Sequence, residues 1–445
     1  MSHDGIAGGR TIGLLVRAAS GAPDAGMDQT VAGLRRLGMT VRPYAIAATP
    51  EREVTASAGG SWIRKVRRKA LHTWHRVAPH AGRFARAPIR YVRSLGHAVL
   101  LRRAGLADFS QAVHLTAALR RDGIVHLHTV DPAAASVAQA VGRLTGMRFS
   151  MSIPSHAIGV AERASLQRSL RASQFALAPT DAGVQAARAL APKAAVQRVY
   201  PGVDYRRYTP KLRCQSGSVP LMLAGGEPRA DWDLAALIDA SRRLAAQGIH
   251  VRCEVAGPLR DLGRTQAQID LHGLHDSIRL VGPLSEGQWT ERLARAVLFV
   301  QLPSAGVEVF PSGIPSGLLE AMAMGLPAIA VRSRATEECV RHGTNGCLVS
   351  AGDGAGLFEA IHALLTRPRL GEKLGRSARD TVLERFDSDV NLRTLQQLLQ
   401  DAARRSVVLS RRVASASTAP GALHRTASPL SPSCRTVSRS EWHHA

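Results

Sequence analysis

The chain has 445 residues, with 58 basic side chains against 34 acidic ones and a formal net charge of +24. That length exceeds one ordinary core, so two domains are expected, and 45% apolar with 21% charged residues fits a globular rather than a disordered chain. No apolar run reaches the ~18 residues of a membrane-spanning helix, the start MSHDGIAGGR has no apolar leader segment, and five scattered cysteines without a C-x-x-C argue against a zinc site or a disulfide framework. A reducing cytoplasm is the expected compartment.

In chain order, TIGLLV (Thr11–Val16) reads as a strand, followed by a Gly-rich loop from Gly21 to Gly26 and a helix ending near Gly38. VRPYAI (Val41–Ile46) reads as the next strand. From Val54 to Ala107 there are twelve Lys or Arg and no acid, and from Ala402 to Ala445 seven Arg and one Glu. These two stretches therefore hold +12 and +6 of the +24, leaving only +6 on the rest. Within the insert, Trp62, Val66, Ala70 and Trp74 recur every four residues, with Arg64, Lys65, Arg67, Arg68 and Lys69 mostly off that stripe. Two readings stay open. One is an amphipathic helix on an anionic membrane surface, spanning 61–104; the other is a helix packed on its own domain with solvated charges. A nucleic-acid partner is not expected, because no recognised nucleic-acid motif accompanies the charge.

Past the insert, GIVHLH (Gly123–His128), FSMSI (Phe149–Ile153), FALA (Phe175–Ala178) and QRVY (Gln197–Tyr200) read as strands separated by helices. TPKLRCQSGSV (Thr209–Val219) reads as a linker, after which the pattern restarts with strands at Leu221–Ala224, Val251–Gly257, Ile278–Gly282, Val297–Leu302, Pro327–Val331 and Cys347–Ser350. Strand–helix alternation predicts parallel sheets covered on both faces. The expected organisation is a first domain at 10–208 with the insert at 54–107, a second domain at 217–387, a last helix at 388–405 and a disordered basic tail at 406–445. Two doubly wound, Rossmann-like domains would then face each other across a cleft, with ligands beyond the carboxyl ends of the strands.

The most informative stretch is PSGIPSGLLEAMAMGLPAIAV, Pro311 to Val331. Its glycines and prolines predict a tight loop ending in a helix near Ser316. The free N–H groups of that helix start suit a diphosphate. Glu320, one turn inside, can accept two hydrogen bonds from a ribose diol. A plain loop–helix–strand unit with a solvated glutamate fits the same residues.

LLEAMAMGLPAIAV, RHGTNGCLVSAGD and ERFD, with VQRVYPGVDYRRYTP and IVHLHTVDPAAASVAQAVGRLTGMRFSMS upstream, resemble the GT-B glycosyltransferases of family four, in the subgroup that builds colanic acid and other exopolysaccharides. The resemblance covers about 10–50 and 108–403. It implies a retaining transferase that binds a nucleotide-diphosphate sugar, UDP- or GDP-linked, in its second domain. The glycan or lipid-linked acceptor would bind in the first. Cationic side chains and amides would stabilise the leaving diphosphate, with no cofactor or metal required. Donor-binding positions carried over are Gly226, Arg229, Val281, Gly313, Ile314, Pro315, Ser316, Leu319 and Glu320. Catalytic positions are Glu320, Ser312 and His156, and the acceptor side takes Gly21 and His128. The implied location is the cytoplasm, peripheral at the inner face of the membrane.

The chain departs from the family pattern at three places. The first glutamate of the family's pair falls on Ser312, whose hydroxyl can hydrogen-bond a sugar but carries no charge. The diphosphate-gripping Arg falls on Gly225 or Gly226 and the Lys on Ala230, leaving Arg229 as the nearby cation. The family's histidine falls near Pro154, with His156 two residues on. An alternative therefore stands beside the active transferase: a catalytically degenerate relative that serves as a membrane- or partner-binding subunit.

Overall fold

The computed structural model describes residues 11–18, 25–47, 79–130, 132–153, 160–210, 219–225, 234–257, 262–302 and 313–417. The chain divides into two compact units, Met1–Ser406 and Val407–Ala445, and both sheets belong to the first. Its first half runs β1 (Thr11–Ala18), α1 (Ala25–Arg36), β2 (Val41–Ala47), α2 (79–86), α3 (Pro88–Leu100), α4 (Arg102–Arg121), β3 (Ile124–Thr129), α5 (Pro132–Thr145), β4 (Phe149–Ser152), α6 (Val160–Ala172), β5 (Ala176–Ala178), α7 (Asp181–Leu190) and β6 (Val196–Arg198). The second half runs β7 (Leu221–Gly225), α8 (Ala235–Ala246), β8 (Arg252–Ala256), α9 (Leu262–Leu271), β9 (Ile278–Gly282), α10 (Glu286–Arg295), β10 (Leu298–Gln301), α11 (Ser316–Ala323), β11 (Ala328–Val331), β12 (Cys347–Val349), α12 (Gly354–Thr366), α13 (Pro368–Arg385) and α14 (Ser388–Ser417).

Each half builds one six-stranded sheet, in the orders β2-β1-β3-β4-β5-β6 and β12-β11-β10-β7-β8-β9. All recorded strand pairings are parallel. Burial on both faces explains why the strands read as apolar runs rather than as alternations; every residue of β10 is buried. Strand order reverses between β1 and β3 in the first sheet and between β7 and β10 in the second. Ligand crevices open at such reversals.

Leu15, Leu127, Phe149 and Met151 face a core closed by α3, α4, α5 and α6. Ile12, Leu14, Phe175 and Leu177 face the opposite side, where Val31 and Leu34 of α1 meet Leu399, Ala402 and Ala403 of α14. The returning helix thus covers a face of the first sheet, and Gln396 Nε2 donates to Leu37 O at 2.8 Å. The chain passes between the sheets twice, and the two passages pair. Val203 N donates to Phe386 O at 2.8 Å, and Ser388 N donates to Val203 O at 3.2 Å. Beside them, the Glu338 carboxylate accepts from the N–H groups of Asp181 (2.9 Å) and Ala182 (3.0 Å) at the start of α7. A carboxylate there satisfies orphan donors and meets the positive end of the helix. Arg385 adds bonds to Glu338 O and Tyr200 Oη, each at 2.9 Å.

The end of α14 differs from expectation. A helix ending at 405 and a disordered tail from 406 were expected, whereas α14 runs to Ser417. Val407, Val408, Leu409 and Val413 sit among Ala, Ser and Arg with no helix breaker before Pro420, so nothing local stops the helix earlier. The remainder of that tail, the predicted stripe from Trp62 to Trp74 and most of the linker lie outside the described residues.

A side chain at Gly202 would meet the Ser388 backbone, whereas one at Gly33 would meet only the flexible end of Leu392. Gly202→Ala is expected to destabilise by about 2 kcal/mol through overpacking against backbone. Gly33→Ala should stay within about 1 kcal/mol of wild type, since helix propensity offsets the contact. Denaturant unfolding of the two variants measures the contrast.

Candidate functional site

The reversal between β7 and β10 locates the candidate site in the second sheet. The loops leaving β7 and β10, 226–233 and 303–312, contain Gly226, Arg229 and Ser312 and lie outside the described residues. The described rim begins at Gly225, whose carbonyl accepts from Leu302 N at 2.8 Å. It continues through Gly313 into α11. Pro315 occupies the N-cap, and no side chain caps the helix. The first N–H groups of α11 therefore keep their donor capacity for a ligand. Gly325, at φ 71, ends the helix past its last turn.

The predicted donor positions divide by helix geometry. Ile314 and Leu319 turn into the core, at 3% and 0% exposure, and Leu319 N already donates to Pro315 O at 3.3 Å. Leu318, Leu319 and Met322 form the inner face, which leaves Ser316 exposed and Glu320 part-buried one turn further on. Val281, near the end of β9, packs against the same core.

Glu320 points inward. Trp289 Nε1, on α10, donates to its Oε2 at 2.5 Å, and the Tyr208 hydroxyl donates to the same carboxylate. Burial raises the Glu320 pKa above the ordinary carboxylate value. The bonds from Trp289 and Tyr208 and the charge of Arg207 oppose that rise. A carboxylate has about four acceptor positions, so two protein donors leave room for a diol. Trp289 and Tyr208 were not anticipated as site residues. Trp289 is held edge-on to Phe299 with ring centroids 6.1 Å apart. It leaves no slack at Gly317, where an added Cβ would sit 3.2 Å from Trp289 Cζ2. The available signal was Ser285, whose capping box starts α10 and fixes the turn on which Trp289 sits.

On the first domain, Gly21 and His156 lie outside the described residues. His128 was expected on the acceptor side, but its ring is 1% exposed. Nδ1 lies 2.8 Å from Ser150 Oγ and Nε2 3.1 Å from Ser152 Oγ. His126, two residues earlier on the same strand face, reaches Ser150 Oγ at 2.8 Å and stacks on Phe175. Residues i and i+2 of a strand share a face, and here that face is interior. Both ring nitrogens of His128 are occupied within the fold, so it has none to offer an acceptor.

Among the described residues, no group of three or more His, Cys, Asp or Glu is arranged to hold a metal ion. Among those residues, too, no helix is long and apolar enough to cross a membrane.

Residues 219–367 match the family described as Glycosyl transferases group 1. The matched segment runs from β7 through α12. The chain is 29% identical over 210 residues to the putative colanic acid biosynthesis glycosyltransferase WcaL of Salmonella typhimurium, covering 47% of this chain and 51% of that protein. It is 36% identical over 155 residues to an exopolysaccharide phosphotransferase of Streptomyces coelicolor, covering 35% of this chain but 16% of that protein. The match thus spans about half of the colanic acid relative and a small part of the phosphotransferase. A glycosyltransferase from Rickettsia africae superposes with a TM-score of 0.64 at 14% identity, over 89% of this chain and 99% of that one. An Anabaena protein, HepE, solved in complex with UDP and glucose, superposes with a TM-score of 0.62 at 15% identity, over 87% and 99%. The two sheets and their helices therefore adopt the GT-B fold.

Two outcomes are expected for this site. Glu320→Leu leaves the Trp289 and Tyr208 donors unpaired and should cost about 2–4 kcal/mol, whereas Glu320→Gln keeps an acceptor and should be near neutral at pH 8. Urea unfolding separates them. Burial holds His126 at about 3 and His128 at about 4, below the ordinary 6.5 of an unfolded chain. Below pH 6.5 the unfolded chain binds protons that the folded one refuses. Stability should therefore fall by roughly 2 kcal/mol per histidine by pH 5. Thermal melts between pH 7 and pH 5 test this, and His128→Gln should lose about half of the slope.

Proposed function

We propose that the chain is a retaining glycosyltransferase that moves a sugar from a nucleotide-diphosphate donor to a glycan or lipid-linked acceptor in exopolysaccharide or cell-envelope polysaccharide assembly. The observation that carries this reading is the Glu320 carboxylate, turned inward beside the uncapped start of α11 at the strand-order reversal. In this reading the ribose diol takes the acceptor positions that Trp289 and Tyr208 leave open. The diphosphate lies on the first N–H groups of α11, with Arg229 as its cation and the backbone of Gly226 and Gly313 alongside. Ser312 meets a sugar hydroxyl, His156 takes the catalytic place of the family's histidine, and the loop at Gly21 lines the acceptor side. A site closed to water strengthens each of these contacts and prevents hydrolysis of the donor. The UDP-bound Anabaena neighbour favours UDP over GDP as the donor nucleotide. The relatives named for colanic acid and amylovoran biosynthesis favour an exopolysaccharide role.

The same reading includes a peripheral position at the inner face of the cytoplasmic membrane. On α3 and α2, Leu100 is 79% exposed, Ile89 73%, and Val92, Val99 and Phe84 about half. Ile89, Val92 and Val99 recur at helical spacing, and exposed Arg86, Arg90 and Arg93 lie around them. An apolar stripe bordered by guanidinium groups suits anionic lipid.

A thermal-shift series with UDP, GDP and UDP-glucose tests the donor site. UDP should raise Tm by a few degrees at saturation, and Glu320→Ala, its fold checked by circular dichroism, should lose the shift. No shift with any nucleotide would overturn the donor assignment. Sedimentation with anionic vesicles should recover the wild type and lose Ile89→Asp/Val92→Asp.

A further inference from the structure

A second cluster of cations lies on the first domain and shares no residue with the donor site. A cavity of about 300 Å³ opens between α3, α4, α5 and α6. Arg143 of α5 and Arg168 of α6 both line it, together with His97 of α3 and Gln139 of α5. Among the described residues, no carboxylate lies within ion-pair distance of either guanidinium. Asp108 also lines the wall and is already partnered. His97 Nε2 is buried and has no hydrogen-bond partner.

We propose that this cavity binds a phosphorylated ligand, with Arg143, Arg168 and His97 gripping its phosphate. Two like charges and an unpartnered imidazole nitrogen around one cavity are costly by themselves. The part-buried Arg143 guanidinium loses hydration without gaining an opposite charge, and the exposed Arg168 beside it repels it. The structure shows that strain as burial and mutual repulsion lowering the Arg143 pKa. Arg143 and Arg168 likewise depress the His97 pKa, next after burial. A phosphate between them turns repulsion into attraction. Guanidinium forks match its oxygens two at a time, and His97 Nε2–H supplies a further donor. Phe109 and Ala98 on the same wall offer apolar surface to the organic part of an ester. His97 and Ala98 lie near the far end of the helix that carries exposed Ile89 and Val92. A lipid phosphate and a soluble sugar phosphate therefore share the chemistry this cavity reads. The inference stands independently of the donor assignment, since neither shares a residue with the other.

Calorimetric titration of the full chain, with UDP present in excess to occupy a donor site, tests the proposal. The probes are inorganic phosphate, glucose 1-phosphate and a short-chain phosphatidic acid below its micelle concentration. At least one should bind, and Arg143→Gln and Arg168→Gln should each weaken it about tenfold or more. Arg143→Lys, which keeps charge but loses the fork, should fall between. The His97 ring resonances should show its pKa rising on loading. Binding of glucose 1-phosphate identifies a soluble source, and binding of phosphatidic acid alone identifies a lipid one. Affinity unchanged in both Gln variants, or no binding by any probe at 10-millimolar order, overturns the proposal.

Discussion

A carboxylate buried one turn inside a helix persists only if donors from elsewhere meet it. For Glu320 those donors come from two distant segments. Trp289 comes from the helix preceding β10, and Tyr208 from the passage between the two sheets. The contact therefore ties the donor side of the second domain to the chain that connects the domains. Its neighbours follow from it. Gly225 and Gly317 are small where the indole passes, Phe299 meets the indole at its edge, and Arg207 adds charge of the right sign. In the proposed reaction the same carboxylate holds the nucleoside, so the donor site is organised before the ligand arrives.

The first domain shows the opposite use of polar groups. His126, His128, Ser150 and Ser152 form a chain of hydrogen bonds beneath the sheet surface. Burial keeps both rings neutral, and stacking on Phe175 fixes their planes. Such a network specifies register, because a one-residue slip of β3 against β4 would strand every member in an apolar interior. It has no spare donor for a substrate.

Among the described residues, several polar contacts join the two sheets. One carboxylate caps α7, one guanidinium bridges Tyr200 and Glu338, and two short passages pair by backbone bonds. The returning helix α14 adds an apolar surface, which lies on the first sheet.

Patterning alone determined the architecture. The twelve strands among the described residues were legible within two residues of their ends; the central ones, buried on both faces, carry an unbroken hydrophobic signal, whereas edge strands such as β2 and β6 do not. The helix that carries Glu320 was legible too, since glycines and prolines at fixed offsets define a loop and the helix after it. Tertiary structure alone decided what those residues touch. Leu319 and Ile314 turned into the core because helix phase, not motif membership, sets direction. His128 went inside because its strand face is covered by Ser150, Ser152 and Phe175. Trp289 joined Glu320 although 31 positions separate them, and the arginines of α5 and α6 met around one cavity. Contacts between segments distant in sequence leave no periodic trace in either segment, so only the packed fold could bring them to light.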